Sequence, residues 1–402
     1  MKTDDTTGEP ILRVAAKGDG VTAGGVHIGG AAPGDRLQSD GSLVRGPHHV
    51  QPPCHHFDRC GGCQLQHCDD PTLAEFTQSR VLNAAEGQGV EAEQILPVHL
   101  SPPGSRRRAT LHASSRSGKP RIGFREAGSH TIVDMQECHI LHPELFACVA
   151  PIRQMLARRK GRYAADIELS LVDQGVDCAF RNLPVEGLEE TEAILEFAKH
   201  AKLARLMLDQ GYGPEAIWEP EPVTVTLSGT PVAFPSNAFL QATRDGEDRL
   251  LRDATLWLHD ANRLADLFAG LGTFAFGLAR QSSVVAVEAS RDAYLASQLA
   301  ARRYDKPVQA MHRDLFRNPL QLEELQEFDA VLLDPPRAGA RDQINLLAQS
   351  SVPRIAYISC NPSSWARDAK RLVDGGYRLR QVRAVGQFRW SIHTELTSLF
   401  ER

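Results

Sequence analysis

The chain has 402 residues, with 45 Lys and Arg against 50 Asp and Glu, which gives a formal net charge of −5. Hydrophobic residues make up 42% and charged residues 24%, a balance typical of packed globular domains that excludes a disordered chain or a coiled rod. The acidic balance excludes a protein that is basic throughout, and the length predicts two or three domains.

The N-terminal residues are polar and lack the apolar core of a signal peptide, and no run approaches the ~18 apolar residues of a membrane span. We therefore expect a monomeric protein in the cytoplasm, without membrane association. In that compartment cysteines serve as metal ligands, nucleophiles or buried thiols more often than as disulfides.

Residues 10–48 consist of short apolar runs broken by glycine. This pattern is typical of strands joined by glycine turns, as in a small β-barrel. The sequence therefore predicts a barrel domain over residues 8–48.

A cysteine-rich loop follows, in which Cys54, Cys60 and Cys63 have the spacing CxxxxxCxxC. One short loop of this kind can place three thiolates around a metal centre, and the two glycines before Cys63 permit the tight turn. A fourth ligand could be Cys68, near in sequence, or the distant Cys138. Thiolate sets suit both iron–sulfur clusters and zinc, so both centres are compatible with this loop.

The next segment combines helices with a basic hairpin. Residues 71–88, 144–162 and 188–203 have the pattern of helices, and alternation over 106–134 predicts a hairpin. The stretch 101–125 carries no acid and seven basic residues: Arg106, Arg107, Arg108, Arg116, Lys119, Arg121 and Arg125. This local asymmetry indicates phosphate contacts, although a merely solvated hairpin has the same composition. We predict a central RNA-binding domain over residues 49–225, which ends in a Pro-rich stretch.

From about residue 226 apolar strands alternate with helices, which predicts a parallel sheet of βαβ units. A glycine-rich turn with Gly270 and Gly272 follows the first strand and lets backbone approach a ligand, and Glu288 ends the second strand. NAD and S-adenosylmethionine both fit this pattern. Asp266 before the turn favours S-adenosylmethionine over NAD, because an acid is a better partner for the ammonium group of S-adenosylmethionine than for the pyrophosphate of NAD.

Two later motifs place reactive side chains after strands of the same sheet. Asp334 ends an apolar strand before two prolines, and Cys360 ends the next strand before Asn-Pro. Because ligands bind at the carboxyl ends of parallel strands, both side chains are expected in one crevice. A lone cysteine is otherwise most often a small buried hydrophobic residue.

The segments DLFAGLGTF, LLDPPRAG, SCNPSSWARD and HTELTSLFER resemble those of the S-adenosylmethionine-dependent RNA 5-methyluridine methyltransferases. The N-terminal half is similar to the iron–sulfur branch that acts on 23S rRNA, so the resemblance covers essentially the whole chain. It implies an α/β fold with three parts: an N-terminal OB or TRAM-like barrel, an α+β central domain with a [4Fe-4S] cluster, and a Rossmann-like class I methyltransferase domain over residues 226–402. Arg389 and Trp390 depart from the Pro and His of the family.

The resemblance also implies the site residues. Cys360 is the nucleophile that adds to C6 of uracil, and Glu395 is the general base that removes the C5 proton. The residues expected to bind S-adenosylmethionine are Gln241, Phe268, Thr273, Glu288, Asp314 and Asp334. The expected cluster ligands are Cys54, Cys60, Cys63 and Cys138.

The expected substrate is a uridine in RNA, with 23S rRNA favoured and tRNA as the alternative. A second reaction also fits the Asp-Pro-Pro motif, namely methylation of an exocyclic nitrogen of a nucleic-acid base. That reaction has no use for Cys360 or Glu395.

Overall fold

The structure is a computed structural model that describes residues 8–115, 119–159 and 161–402. Arg116 of the predicted basic hairpin lies outside the described residues. No described helix combines the length and the apolar character needed to cross a membrane.

The N-terminal region forms a five-stranded antiparallel sheet with the order β3-β2-β1-β4-β5. Its strands are β1 (Glu9–Val14), β2 (Gly20–Thr22), β3 (His27–Ile28), β4 (Arg36–Leu37) and β5 (Leu43–Val44). The strands are short and joined by glycine turns, as the sequence predicts, while the assignment to the OB or TRAM type stays a prediction.

The segment after the cysteine-rich loop forms α1 (Asp70–Glu86), β6 (Gln94–Ile95) and β7 (His99–Leu100). The side chain of Asp69 accepts a hydrogen bond from the Thr72 N–H at 3.0 Å, which caps α1, and Pro71 stands in its first turn. The observed helix matches the predicted one within two residues.

The central region forms a six-stranded sheet with the order β13-β12-β11-β10-β8-β9 and three helices. The elements are β8 (Arg108–Ser115), β9 (Pro120–Gly123), α2 (Pro143–Ala147), α3 (Val149–Ala157), β10 (Tyr163–Val172), β11 (Gly175–Arg181), α4 (Gly187–His200), β12 (Arg205–Asp209) and β13 (Pro214–Trp218). Alternate residues of β8, such as Leu111, are buried against the helices. On the other face of this sheet, alternate residues of β8, such as Thr110, are accessible to solvent.

The C-terminal region begins with a hairpin and continues as a series of strands and helices. The elements are β14 (Thr224–Leu227), β15 (Thr230–Ala233), α5 (Arg244–Trp257), β16 (Arg263–Leu267), α6 (Ala275–Leu278), β17 (Ser283–Glu288), α7 (Arg291–Arg303), β18 (Val308–His312), α8 (Leu322–Leu325), β19 (Ala330–Leu333), α9 (Arg341–Leu347), β20 (Arg354–Ser359), α10 (Pro362–Asp374), β21 (Arg378–Gly386) and β22 (Glu395–Glu401).

These strands form a doubly wound sheet with the order β18-β17-β16-β19-β20-β22-β21. The first five strands are parallel, and β22 is antiparallel to both of its neighbours. All four residues of β19 are buried, as expected for a parallel strand covered on both faces. The winding reverses between β16 and β19, and such a reversal opens a ligand crevice at the carboxyl ends of the strands.

The segment 70–100 joins this C-terminal sheet, although the sequence analysis assigns it to the central domain. Helix α1 packs on α10 and β21, while β6 and β7 pair in parallel with β21. Val81 and Ala85 of α1 belong to the same hydrophobic core as Trp365. Strands of two residues carry no periodic signal, so the sequence could not show this pairing.

Candidate active site

The carboxyl edge of the parallel sheet collects most of the predicted site residues. Glu288, Asp314, Asp334 and Cys360 lie at or just after the ends of β17, β18, β19 and β20. Glu395 begins β22, which runs in the opposite direction, so its first residue lies at the same edge.

The register of β20 and β22 brings the predicted nucleophile next to the predicted base. Ser359 pairs with Leu396 in the antiparallel ladder. One step further along the same register, Cys360 stands opposite Glu395. The two residues are 35 positions apart in sequence, and the ladder makes them neighbours.

The glycine turn after β16 is held in an unusual conformation. Phe268 has φ of +65°, Gly270 +57° and Gly272 +88°, all in the left-handed region. Such a conformation is uncommon for a bulky residue such as Phe268 and marks a functional constraint. The Gly270 N–H donates to Oε2 of Glu288 at 2.8 Å, and the Ser290 N–H donates to Oε1 at 2.6 Å. Glu288 therefore fixes the turn as well as facing the crevice.

Aromatic rings lie beside this turn. The ring centroid of Phe268 is 5.4 Å from that of Phe316, which is exposed. Oδ1 of Asp314 accepts a hydrogen bond from the Phe316 N–H at 3.0 Å, so Asp314 positions the second ring. Thr273 follows the turn directly and is buried.

Asp266 of β16 has the environment of a cation-binding group. Its side chain is buried, and neither carboxyl oxygen has a hydrogen bond of ordinary geometry among the described residues, although the backbone N–H of Ala275 lies close enough to favour the charged form. Burial raises the pKa of Asp266 to about 8, and the nearby charge of Glu288 adds to this. A Cβ built on Gly270 meets no atom within 4 Å, so the turn borders open space. A buried carboxyl group with so little hydrogen bonding is costly, and a positively charged group would stabilise its ionised form.

A chain of amide side chains orients Asp334. Gln387 donates through Nε2 to Oε1 of Gln241 at 3.0 Å, and Gln241 donates through Nε2 to Oδ2 of Asp334 at 2.9 Å. The Thr243 N–H donates to Oε1 of Gln387 at 3.3 Å, which fixes which way that amide points. Burial, together with Glu395 and Asp266, raises the pKa of Asp334 well above its ordinary value. Nothing in the sequence pattern indicated Gln387.

The two predicted catalytic groups influence each other's protonation. Burial raises the pKa of the Cys360 thiol to about 11, and the carboxyl groups of Glu395 and Asp334 contribute, against an opposing effect of Arg337. Burial raises the pKa of Glu395 to about 7, and Arg108 and Arg337 oppose this rise. A thiol nucleophile is activated either by a lowered pKa or by assistance during its attack. In this structure the pKa is raised, so attack by Cys360 needs assistance.

Arg108 reaches this crevice from the central region, whereas the sequence analysis predicts that it contacts phosphate from a basic hairpin. Its guanidinium lies 4.3 Å from the ring centroid of Phe239. Burial lowers the pKa of Arg108 to about 10, while Glu395 and Cys360 act in the opposite direction. A second cation therefore faces the catalytic pair.

Arg106 and Arg107, for which the sequence analysis also predicts phosphate contacts, have partners within the protein. Arg107 is buried and forms an ion pair with Glu247. The guanidinium of Arg106 lies 5.8 Å and 5.3 Å from the ring centroids of Phe124 and Phe388. These carboxylate and aromatic partners are distant in sequence, so the run of three arginines gave no sign of them.

The four predicted cluster ligands line one small cavity. Cys54, Cys60, Cys63 and Cys138 all border it, whereas Cys68 does not. Burial raises the pKa of Cys54 to about 11 and that of Cys63 to about 12, and the other thiols of the cavity contribute. Within residues 8–115, 119–159 and 161–402, no group of three or more His, Cys, Asp or Glu has the geometry to hold a metal ion.

The two residues that depart from the family pattern connect this cavity to the crevice. The backbone oxygen of Trp390 accepts hydrogen bonds from the N–H groups of Gln64 and Leu65, at 2.7 Å and 2.9 Å. Arg389 forms an ion pair with Asp70. The loop before Glu395 is thus held against the loop that carries Cys63.

A family model described as tRNA (uracil-5-)-methyltransferase matches residues 199–402. An uncharacterized RNA methyltransferase of Zymomonas mobilis is 46% identical over 393 residues, which cover 98% of this chain and 99% of the relative. The 23S rRNA (uracil(1939)-C(5))-methyltransferase RlmD of Pectobacterium atrosepticum is 30% identical over 98% of this chain and 91% of its own.

Among solved structures, the tRNA (uracil-54, C5)-methyltransferase of Pyrococcus abyssi, in complex with S-adenosyl-L-homocysteine, superposes with a TM-score of 0.74. The match covers 97% of this chain and 99% of that chain at 21% sequence identity. This likeness shows that the two proteins share a fold.

Proposed function

The chain belongs to the tRNA (uracil-5-)-methyltransferase family of S-adenosylmethionine-dependent enzymes that act on RNA, and from this premise we propose that it methylates C5 of a uridine through a covalent adduct with Cys360. The observation that supports the proposal is the register of β20 and β22, which brings Cys360 next to Glu395 when it is continued one step beyond the Ser359–Leu396 pair. The charge of Glu395 accordingly contributes to the raised pKa of Cys360. Methylation of a base nitrogen would need neither group.

The chemistry requires both residues because C5 of uracil is a poor nucleophile. Addition of the Cys360 sulfur to C6 converts the ring into an enolate that is nucleophilic at C5. S-adenosylmethionine supplies the methyl group when bound. Glu395 then takes the proton from C5, the bond between sulfur and C6 breaks, and the thiolate leaves.

The pKa values fit these roles. With a pKa of about 7, Glu395 is partly ionised at neutral pH and is a competent base. The Cys360 thiol is protonated in the free protein, so its proton must leave as the sulfur attacks. Arg108 and Arg337 face the pair and would stabilise the negative charge on the thiolate and on the enolate.

For the cofactor pocket we propose the six residues predicted from the sequence, together with Asp266. The support is the buried Asp266 carboxyl, which has no hydrogen bond of ordinary geometry among the described residues, and the open space beside Gly270. Gln241 and Asp334 form one hydrogen-bonded unit on the side of the crevice nearest Glu395. The proposed set is Gln241, Phe268, Thr273, Glu288, Asp314, Asp334 and Asp266.

We also propose that Cys54, Cys60, Cys63 and Cys138 hold a [4Fe-4S] cluster. The support is that all four thiols border one cavity. Thiolate sets suit zinc as well, so zinc is the alternative that metal analysis must separate from the cluster. Its role would be to fix the loop that contacts Trp390.

The proposed substrate is 23S rRNA, with tRNA as the alternative. The support for rRNA is the relative RlmD, whose similarity extends along 98% of this chain and so includes the N-terminal and cysteine-rich regions. The tRNA enzyme of P. abyssi shares the fold at 21% identity, which carries no argument about the substrate.

The test is to incubate the purified protein with S-adenosylmethionine and unmodified transcripts of 23S rRNA and tRNA. Mass spectrometry of the digested nucleosides should show 5-methyluridine from 23S rRNA. Methyl groups on a base nitrogen, or no transfer to either RNA, would refute uracil-C5 methylation. Transfer to tRNA alone would refute only the choice of RNA.

A further inference from the structure

The central sheet has an open face that leads away from the catalytic residues. On β8 the residues at alternate positions, Arg108, Thr110, His112 and Ser114, point to this face, because the residues between them are buried. The pairing of His112 with Asp166 continues the same face onto β10.

Two concavities together cover this face. The first is bordered by Arg108, Thr110 and, at the catalytic end, Arg337 and His393. The second is bordered by His112 and Ser114 and ends at the hairpin of β8 and β9. Arg125 and Gly128 border both, so the two concavities adjoin there, and we name the pair the sheet channel. Along β8 the channel is about 23 Å long, since seven residue steps rise ~3.3 Å each.

The charge along the sheet channel is positive because three of its four acids are paired with arginines and the fourth, Asp166, is hydrogen-bonded to His112. Each acid has a basic partner at 2.6–2.8 Å. The pairs are Glu126–Arg59, Asp166–His112, Glu168–Arg181 and Asp177–Arg205. The end remote from the active site carries four exposed cations that have no carboxylate partner among the described residues. They are Lys119, Arg121, Arg125 and Arg162.

Aromatic side chains lie at both ends of the sheet channel. Phe124, Phe239 and Phe388 border the catalytic end, and Tyr163 borders the remote end. Phe239 is 53% exposed although the Arg108 guanidinium lies over its ring, so part of the ring remains accessible to a base. A groove that combines cations with accessible aromatic rings is typical of proteins that bind single-stranded nucleic acid.

We propose that the sheet channel holds a single-stranded segment of RNA continuous with the target uridine, and that Lys119, Arg121, Arg125 and Arg162 bind its phosphates. This inference rests on the proposed function, since the catalytic end must hold the target base. A uridine that is attacked at C6 must be unstacked, so its neighbours in the strand are also accessible to the protein.

The test compares two RNAs that contain the same target uridine. One RNA keeps the flanking single-stranded nucleotides and the other lacks them. The test variant is Lys119→Ala with Arg121→Ala and Arg162→Ala. The matched control is Arg302→Ala with Arg303→Ala and Lys306→Ala, which removes three exposed cations at the C-terminal end of α7, outside the sheet channel.

We expect the test variant to bind the long RNA with a log–log salt slope smaller by roughly 2, because each single-strand phosphate contact contributes roughly 0.7. The affinity advantage of the wild type over this variant should then shrink roughly 20-fold between 50 mM and 200 mM salt. Affinity for the short RNA, S-adenosylmethionine binding and the control variant should be unchanged.

An unchanged slope for the long RNA, with a wild-type protein that forms 5-methyluridine, would overturn the sheet channel and leave the proposed function intact. A wild-type protein that forms no 5-methyluridine in any RNA would overturn the proposed function instead. If base-pairing the flank leaves the wild-type affinity and its salt slope unchanged, the channel takes a duplex and the proposal fails. Crosslinks from 4-thiouridine in the flank to the peptide 112–130 would support it.

Discussion

The catalytic crevice and the cysteine cavity both bury thiols, and burial raises the pKa in both. The pKa of Cys360 lies at about 11 and that of Cys63 at about 12, so protonation alone does not separate a nucleophile from a ligand. The neighbours do. Cys360 faces the carboxyl groups of Glu395 and Asp334, which can move protons, whereas Cys63 faces other thiols. A thiol beside a base suits a covalent cycle, and thiols beside thiols suit a metal centre.

The sharpest test of this contrast is Cys360→Ala. We expect methylation to fall to the background of the assay, because no enolate forms without addition of sulfur to C6. S-adenosylmethionine binding should persist, since the residues proposed for the cofactor pocket do not include Cys360 and several of them follow neighbouring strands of the sheet. Cys148→Ala, which removes a buried thiol from the central core, should remain active. An active Cys360→Ala enzyme would contradict the covalent mechanism.

Glu395→Gln should stall the reaction one step later than Cys360→Ala. Sulfur addition and methyl transfer both precede removal of the C5 proton, so the RNA should remain joined to Cys360. A denaturing gel should show a slowly migrating protein–RNA band that needs S-adenosylmethionine. The same preparation without RNA gives the reference mobility.

The double variant Cys360→Ala with Glu395→Gln is the control for this band and should not form it. Normal turnover by Glu395→Gln would mean that another acid removes the proton. Asp334 is the first candidate, because it lies so close to Glu395 that the charge of Glu395 contributes to the raised pKa of Asp334.

The cysteine cavity should respond differently to the same type of substitution. Cys54→Ser, Cys60→Ser, Cys63→Ser and Cys138→Ser should each remove the broad absorbance near ~400 nm expected of a thiolate-bound cluster in protein purified without oxygen. Cys68→Ser should keep it, because Cys68 is buried outside the cavity. Iron analysis of each variant provides the readout that does not depend on activity. A colourless wild type with stoichiometric zinc would contradict the iron–sulfur proposal.

The sequence predicted the sheet edge well because its signals are local. A strand followed by Asp334, or by Cys360, can be recognised within ten residues, and parallel topology then brings the strand ends together. The open face of the central sheet has no such signal. Arg107 and Arg121 look alike in the basic stretch, yet Arg107 is buried beside Glu247 while Arg121 is exposed. Arg107 forms an ion pair because of Glu247, which lies 140 residues further along the chain, and the local sequence does not show this partner.

The smallest expected effect concerns the free energy of unfolding at the catalytic base. Folding raises the pKa of Glu395 from 4.5 to about 7. Below 4.5 the group is protonated whether the chain is folded or not. Between pH 4.5 and about 7 the unfolded chain ionises this group in water, while the folded protein still holds it neutral. The stabilising contribution of Glu395 to the free energy of unfolding is therefore lost as the pH rises through 7.

Glu395→Gln stays neutral at every pH, so this variant should be more stable than the wild type at pH 8, by an amount on the order of 1–3 kcal/mol, and much less so at pH 5. Urea unfolding at pH 5, 6.5 and 8 measures the difference. Glu192→Gln, on the exposed side of α4, should show no such trend. A gain of equal size at pH 5 and pH 8 would mean that the substitution acts through packing and that Glu395 does not carry a raised pKa.

The same raised pKa should make methylation decline below pH 7, because a protonated Glu395 cannot accept the C5 proton.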